Sequence, residues 1–323
     1  MKIAFVGDVM LGRLVNQALR LEPPEYPWGD TLSVLRPADW RICNLECVIS
    51  DRGTPWAATR KAFHFRSDAK NVAVLKSAGI DAVSLANNHV LDFGEEAMLD
   101  MLRILDLEGI RRAGAGADLA EASRPAVLEA RGMRIGLVAF TDNQPEWEAT
   151  DTRPGVFYVP TDARDARAAR LLDVVRRASA ATDLLVVSGH WGGNWGYAPP
   201  SGHRTFARAL IDAGAGVIFG HSCHVSRGIE LYRERPVIHS AGDFIDDYAV
   251  DAAERNDRSL IFTLDTDAAR LRLYPTVIRE CHAQLAHGRD SAEIAAKMRE
   301  LCADLGTVVR WQEHDRCLDL ALC

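Results

Sequence analysis

Six side chains in this sequence are of the kinds that hold transition metals, and each stands just past an apolar run. Asp8 follows 3–6, Glu46 follows 40–43, Asn88 follows 83–86 and His190 follows 184–188. His221 and His224 follow 215–219, three residues apart in Gly220-His221-Ser222-Cys223-His224, where Gly220 offers a sharp exit from a strand. Carboxylate, imidazole and amide oxygen together suit Mn, Zn or Fe rather than Ca. One or two such divalent ions are the expected cofactor. Two ions can clamp the attacking and leaving oxygens of a phosphate ester and supply hydroxide at neutral pH. His89, next to Asn88, is a candidate ligand or proton-transfer group.

The elements that must position these residues are legible as alternating strands and helices. Strands are predicted over 2–6, 40–45, 81–86, 183–188 and 215–219, and each delivers a metal-competent residue at its carboxyl end. If the five are parallel neighbours, right-handed crossovers bring those ends to one sheet edge, where ligands collect in open α/β sheets. Amphipathic helices are predicted over 11–21, 71–78, 95–108, 162–180, 202–213 and 292–305. Strand pairs enrich the second half: 126–129 with 133–140, 229–232 with 236–240, and 259–265 with 270–278. The pattern is that of a layered α/β sandwich with mixed sheets. The stretch 50–66, with Gly53, Pro55, Trp56 and His64, reads as a long loop.

The 323 residues are 48% hydrophobic and 26% charged, as in ordinary globular chains. They read as a single domain over 1–323 in which 250–323 form a β/α extension packed on the rest. A net charge of -7 argues against nucleic acid as the main partner. A small-molecule or oligomeric anionic substrate needs only a local positive centre, such as a metal. No apolar segment reaches the length of a membrane span or a signal-peptide core. The seven cysteines (43, 47, 223, 281, 302, 317, 323) lack paired spacing, so a cytoplasmic location without a disulfide framework is expected.

Further residues are candidates for shaping a substrate pocket. Trp191 and Asn194 lie in a glycine-rich aromatic loop that either stacks on a ligand or packs in the core. Asp243 opens the acidic stretch Asp243-Phe244-Ile245-Asp246-Asp247-Tyr248. That stretch could receive a cationic group, brace the metal histidines or form a solvated turn. Arg13 and Arg66 could receive an anionic group. Asn44 and Asn87, beside the ligand positions, complete the substrate-binding set with Arg13, Trp191, Asn194 and Asp243. His64, His203, His282, His287 and His314 lack a strand-end context and read as structural or surface residues.

In order along the chain come Gly7-Asp8-Val9-Met10-Leu11-Gly12-Arg13, Asn44-Leu45-Glu46, Asn87-Asn88-His89 with Asp92 and Gly94, His190-Trp191-Gly192, and Gly220-His221 with His224-Val225. Together they resemble the CapA-type proteins of poly-gamma-glutamate capsule synthesis, over roughly residues 1–250. That family is related to calcineurin-like metallophosphoesterases. The resemblance implies a four-layer α/β/β/α sandwich with two mixed sheets and a metal centre at the sheet edge. It also implies that Asn88 is a metal ligand and that His89 protonates the leaving group. The chain departs from the phosphoesterase pattern at two places. Met10 stands where a ligand histidine would be, and Glu46 replaces a bridging aspartate. One metal position is therefore expected to be weakened or differently built. Gly242-Asp243-Phe244 occupies the place of the family's Gly-Asn-Phe.

The resulting expectation is a metal-dependent hydrolase acting on a small phosphate ester or related anionic molecule. One alternative is an enzyme that makes or cuts poly-gamma-glutamate or another amide polymer. The other is a non-catalytic binding or assembly subunit with a degenerate metal site.

Overall fold

A computed structural model describes residues 1–322; Cys323 lies outside the described residues. The other six cysteines are free thiols. The architecture is mixed α/β, with two large mixed sheets. The first runs in the order Arg310–Gln312, Cys317–Ala321, Arg270–Arg279, Arg258–Asp265, Lys2–Val9, Trp40–Leu45, Ala82–Ser84, Arg111–Ala113. The second runs Ile229–Tyr232, Arg235–Ile238, Val217–His221, Leu184–His190, Met133–Thr141, Ala126–Ala130.

Side-chain alternation shows how the sheets pack. Ile3 and Phe5 join Leu137, Val186, Val217 and Phe219 in one cluster between the two sheets. Ala4 and Val6 face the other way, into a cluster with Leu75, Met98, Met101 and Leu105 from the helices Val72–Ser77 and Gly94–Leu107. Val138, Val187 and Ile218 likewise turn to the far side of the second sheet. There they meet Leu171 and Val175 of helix Ala166–Ala180 and Phe206 and Leu210 of helix Ser201–Asp212. Helices thus cover the outer face of each sheet.

The segment after residue 250 enters the first sheet itself. Arg258–Asp265 pairs antiparallel with Lys2–Val9, and helix Gly288–Asp304 adds Ile294, Met298 and Cys302 to the inter-sheet core.

Three expectations need correction. The five ligand-bearing strands are not neighbours in one sheet. Lys2–Val9, Trp40–Leu45 and Ala82–Ser84 are parallel neighbours in the first sheet, and Leu184–His190 and Val217–His221 are parallel neighbours in the second. The face-to-face packing still brings both sets of carboxyl ends together. In addition, Asp8, His190 and His221 lie inside their strands rather than beyond them. Gly220 is no exit from a strand but a point of close approach: a Cβ there would lie 2.3 Å from the His239 carbonyl oxygen. The turn comes one step after His221, at Ser222, which holds a left-handed φ of 97°.

Candidate metal centre

The site begins with a flaw in a ladder. Val6 pairs with Cys43 and Asp8 with Asn44, so Gly7 is an extra residue in its strand. Such a bulge shifts every later side chain to the opposite face. Without it, Asp8 would follow Ala4 and Val6 into the helix-side core; with it, Val9 goes there instead and Asp8 turns toward the second sheet. Gly7 must be glycine, because a Cβ would sit 1.8 Å from the Gly242 carbonyl oxygen.

The second sheet answers with two histidines. His190 and His221 are register partners on parallel strands and occupy the inward positions that follow Val186 and Phe219. Their Nδ1 atoms lie 2.8 Å apart. Ser188 Oγ holds the far nitrogen of His221, Nε2, at 2.7 Å, and Nδ1 faces Asp8 Oδ1 at 3.9 Å. Ligand atoms of Asp8, His190 and His221 fall within 4.8 Å of one another, and those of Asp8, His224 and Asp243 form a second such group. Asp8 is common to both.

The remaining polar network braces these residues. Asn44 Nδ2 donates to Asp8 Oδ1 (2.8 Å) and to Glu46 Oε2 (3.2 Å). Asn87 Nδ2 donates to Asn44 Oδ1 (3.0 Å) and to the Leu45 carbonyl (2.8 Å), while its Oδ1 accepts from the His89 amide (3.0 Å). Asn44 and Asn87 are fully buried in these bonds. Both amide hydrogens of each are engaged by neighbouring groups of the site rather than turned outward.

Among the buried acceptors of the described residues that lack a hydrogen-bond partner are Asp8 Oδ2, Asn88 Oδ1 and Asp243 Oδ2. Each unsatisfied buried acceptor costs about 1–3 kcal/mol. The Asp8 carboxylate, set beside the two imidazoles, fits a divalent transition ion. Asp8, His190 and His221 could hold it, as could Asp8, His224 and Asp243, whereas Glu46 falls in neither group.

The charges follow the same division. Burial raises the Asp8 carboxyl to about 6. Burial, and then the charge of Asp8, raises Glu46 well above the usual carboxylate range. Burial holds His190 far below its ordinary value and His221 down to about 3, so both present uncharged nitrogens. His224 differs: burial opposes its charge, but the carboxylate of Asp243, 2.8 Å from its Nδ1, lifts it to about 9.

His89 sits on the turn after Ala82–Ser84. Its Nδ1 lies 2.6 Å from Asp92 Oδ2, its Nε2 is 3.8 Å from Glu46 Oε1, and Phe65 stacks on its ring at 4.0 Å. Lys61 donates to the Asn88 carbonyl at 2.7 Å and pairs with Asp92 at 3.2 Å. Burial and then the Lys61 charge keep His89 neutral at pH 7. Burial lifts Asp92 to about 7 against the pull of Lys61. The proton expected on His89 therefore belongs to the His89–Asp92 pair.

The other expected substrate residues divide. Arg13 lies at the rim, 5.9 Å from the Phe65 ring and 3.3 Å from Asp247. Asn194 is exposed, and its carbonyl accepts the His224 amide at 2.9 Å. Trp191 is a correction: it is fully buried between Phe140 and His203, with its Nε1 on the His239 carbonyl. Trp195 is the aromatic beside the site, 47% exposed and 5.5 Å from the His224 ring. Asp243 is placed among possible ligands. Sequence reasoning gave no role to Lys61, Phe65 or Asp92. Only Asp92 carried a signal, its spacing of three from His89.

The family described as bacterial capsule synthesis protein PGA_cap matches residues 2–248. The chain is 36% identical over 305 residues to a "Probable polyglutamine synthesis accessory protein" of Mycobacterium tuberculosis (strain ATCC 25618 / H37Rv), covering 88% of this chain and 79% of that one. It is 29% identical over 246 residues to the "PGA biosynthesis protein CapA" of Bacillus subtilis (strain 168), covering 76% of this chain and 63% of that one. A crystal structure of a hypothetical protein from Thermus thermophilus is similar at a TM-score of 0.46 and 17% identity, over 88% of this chain and 96% of that one. The chain belongs to the PGA_cap family.

Proposed function

We propose that this chain, as a member of the bacterial capsule synthesis family PGA_cap, is a metal-dependent enzyme. It cuts amide bonds of a γ-linked glutamate polymer or a related amide polymer during that polymer's synthesis or turnover. The fold is read as a metallophosphoesterase-like sandwich. Among the described residues no helix is long and apolar enough to cross a membrane, and the proposed place of action is the cytoplasm.

The observation that carries the reading is that Asp8, with one oxygen unpartnered, groups with the neutral imidazoles of His190 and His221 on one side and with Asp243 and His224 on the other. A bound divalent ion supplies Lewis-acid polarisation of a carbonyl and a hydroxide at neutral pH. The chain does the rest. Asn44 fixes Asp8 and Glu46, and Ser188 fixes His221. The His89–Asp92 pair holds a proton at the site and gives it to the departing nitrogen. Phe65 shields that pair from water. Arg13, at the rim, meets the carboxylates of an anionic polymer.

A second reading is hydrolysis of a phosphate ester, favoured by the Asn88-His89 turn, which the family resemblance ties to protonation of a leaving oxygen. One experiment separates the two. Protein loaded with Mn or Zn is incubated with γ-glutamyl oligomers and, in parallel, with phosphomonoesters and phosphodiesters. Shorter glutamate oligomers without phosphate release are expected. Phosphate release alone would transfer the site to the second reading, and no product from any substrate would contradict both.

A further inference from the structure

Met10 leaves a gap in the metal-binding pattern, and the fold puts another residue in it. Met10 is fully buried in the helix-side core with Val9 and Leu11, and its sulfur accepts the Gly12 amide at 3.0 Å. It is packed away from Asp8. Asp243 reaches Asp8 from a different strand. The short strand Asp243–Ile245 runs parallel to Lys2–Val9, with Asp8 and Asp243 as direct register partners. The Asp8 amide donates to the Gly242 carbonyl at 3.0 Å, which fixes the two backbones side by side. Asp243 Oδ1 lies 2.8 Å from His224 Nδ1. Asp8 Oδ2 and Asp243 Oδ2 are both buried and both without a donor. One ligand atom from each of Asp8, Asp243 and His224 falls within a 4.8 Å group.

We propose that Asp243 is a metal ligand standing in for the histidine absent at position 10. Asp8, Asp243 and His224 then hold a second divalent cation beside the one held by His190 and His221. This rests on the metal-centre part of the function proposed above and on nothing about its substrate. The two positions differ in donor chemistry. His190 and His221 offer imidazole nitrogen, which suits Zn and Fe as well as Mn. Asp8 and Asp243 offer two carboxylates to one imidazole, a harder set that favours Mn or Mg. Loading with Mn therefore fills both positions, whereas limiting Zn fills the histidine pair first.

The test is Mn(II) titration of the full chain, read by bound metal after dialysis and by electron paramagnetic resonance. Asp243→Asn preserves the side chain's size and removes its charge. Wild type is expected to bind about two Mn per chain and to show a spin-coupled pair. In Asp243→Asn the second ion's affinity falls by more than about 100-fold and the coupling disappears, while the first ion stays. A residue that only orients His224 would cost about 10–100-fold with both ions retained and coupled; that result overturns the proposal. A wild type that saturates at one uncoupled ion overturns it too. His221→Ala should remove the other ion and leave the Asp8–Asp243–His224 position loaded. Its failure to do so, with both ions lost together in a folded protein, would contradict two separable positions. Two coupled ions in a protein that releases no glutamate would leave this proposal standing and sink the amide reading alone.

Discussion

The two halves of the centre carry opposite strains. On the second sheet, His190 and His221 meet nitrogen to nitrogen at 2.8 Å, and burial keeps both from taking a proton. On the first sheet, Asp8, Glu46 and Asp243 are crowded together, and burial pushes all three carboxyls above their ordinary range. One half offers uncharged imidazoles; the other crowds carboxyls around one charged imidazole, that of His224. The two halves approach to 3.9 Å between His221 and Asp8, yet Asp8 Oδ2 still finds no donor. Each half makes physical sense as one side of a cation's shell. The halves also differ in how they are built: straight strand register sets the histidines, whereas a bulge at Gly7 sets the carboxylate.

The contrast can be broken most forcefully on the histidine side. His221→Ala should lower the rate of polymer cleavage by roughly a thousand-fold or more, because a metal's charge stabilisation is worth several kcal/mol. A loss under about ten-fold would show that the imidazoles do not hold the working ion. The proton-carrying pair comes next. His89→Gln should cost about 10²–10⁴-fold in kcat with metal content unchanged. A parallel loss of metal would make His89 a ligand instead.

The carboxylate side is sharpened by stability. The folded pKa of Asp8 is raised from 3.8 to about 6. The stability this group contributes is therefore complete below pH 3.8 and is lost as pH rises through 6. At pH 7.5, chelated protein carries that loss in full, so Asp8→Asn should stabilise it by up to about 3 kcal/mol, and by about half as much at pH 5. Urea unfolding of chelated wild type and variant at the two pH values checks this. A variant less stable at pH 7.5 would mean that the carboxylate is not crowded. The smallest effect is expected at the rim. Trp195→Ala should raise KM by about 2–10-fold with kcat and thermal stability unchanged, the range of one aromatic contact.

Much of the site was legible because a period of two and a polar strand end are local signals. Alternation along 184–190 and 217–221 already points His190 and His221 the same way as Val186 and Phe219. Which strands become neighbours is not local, and that is why five strands expected in one sheet divide between two. Gly220 has the local look of a turn former, but its role is to let the His239 carbonyl come close, a contact between distant segments. The same long-range register pairs Asp243 with Asp8, and nothing in the acidic stretch around Asp243 signals it. Trp191 and Trp195 share one glycine-rich loop, and only the packing of Phe140 and His203 sends the first inward. Lys61 comes from the irregular stretch 50–66, where no periodicity could aim it at Asn88.

Metal content tests the central claim most directly. Wild type and the His190→Ala/His221→Ala double variant are each chelated, reloaded with Mn or Zn, dialysed and analysed for bound metal, with folding checked by thermal melts. Wild type is expected to retain at least about one ion per chain and the double variant to lose the ion held by that pair. Wild type retaining less than about a tenth of an equivalent would contradict the metal centre and leave a binding or assembly subunit in its place.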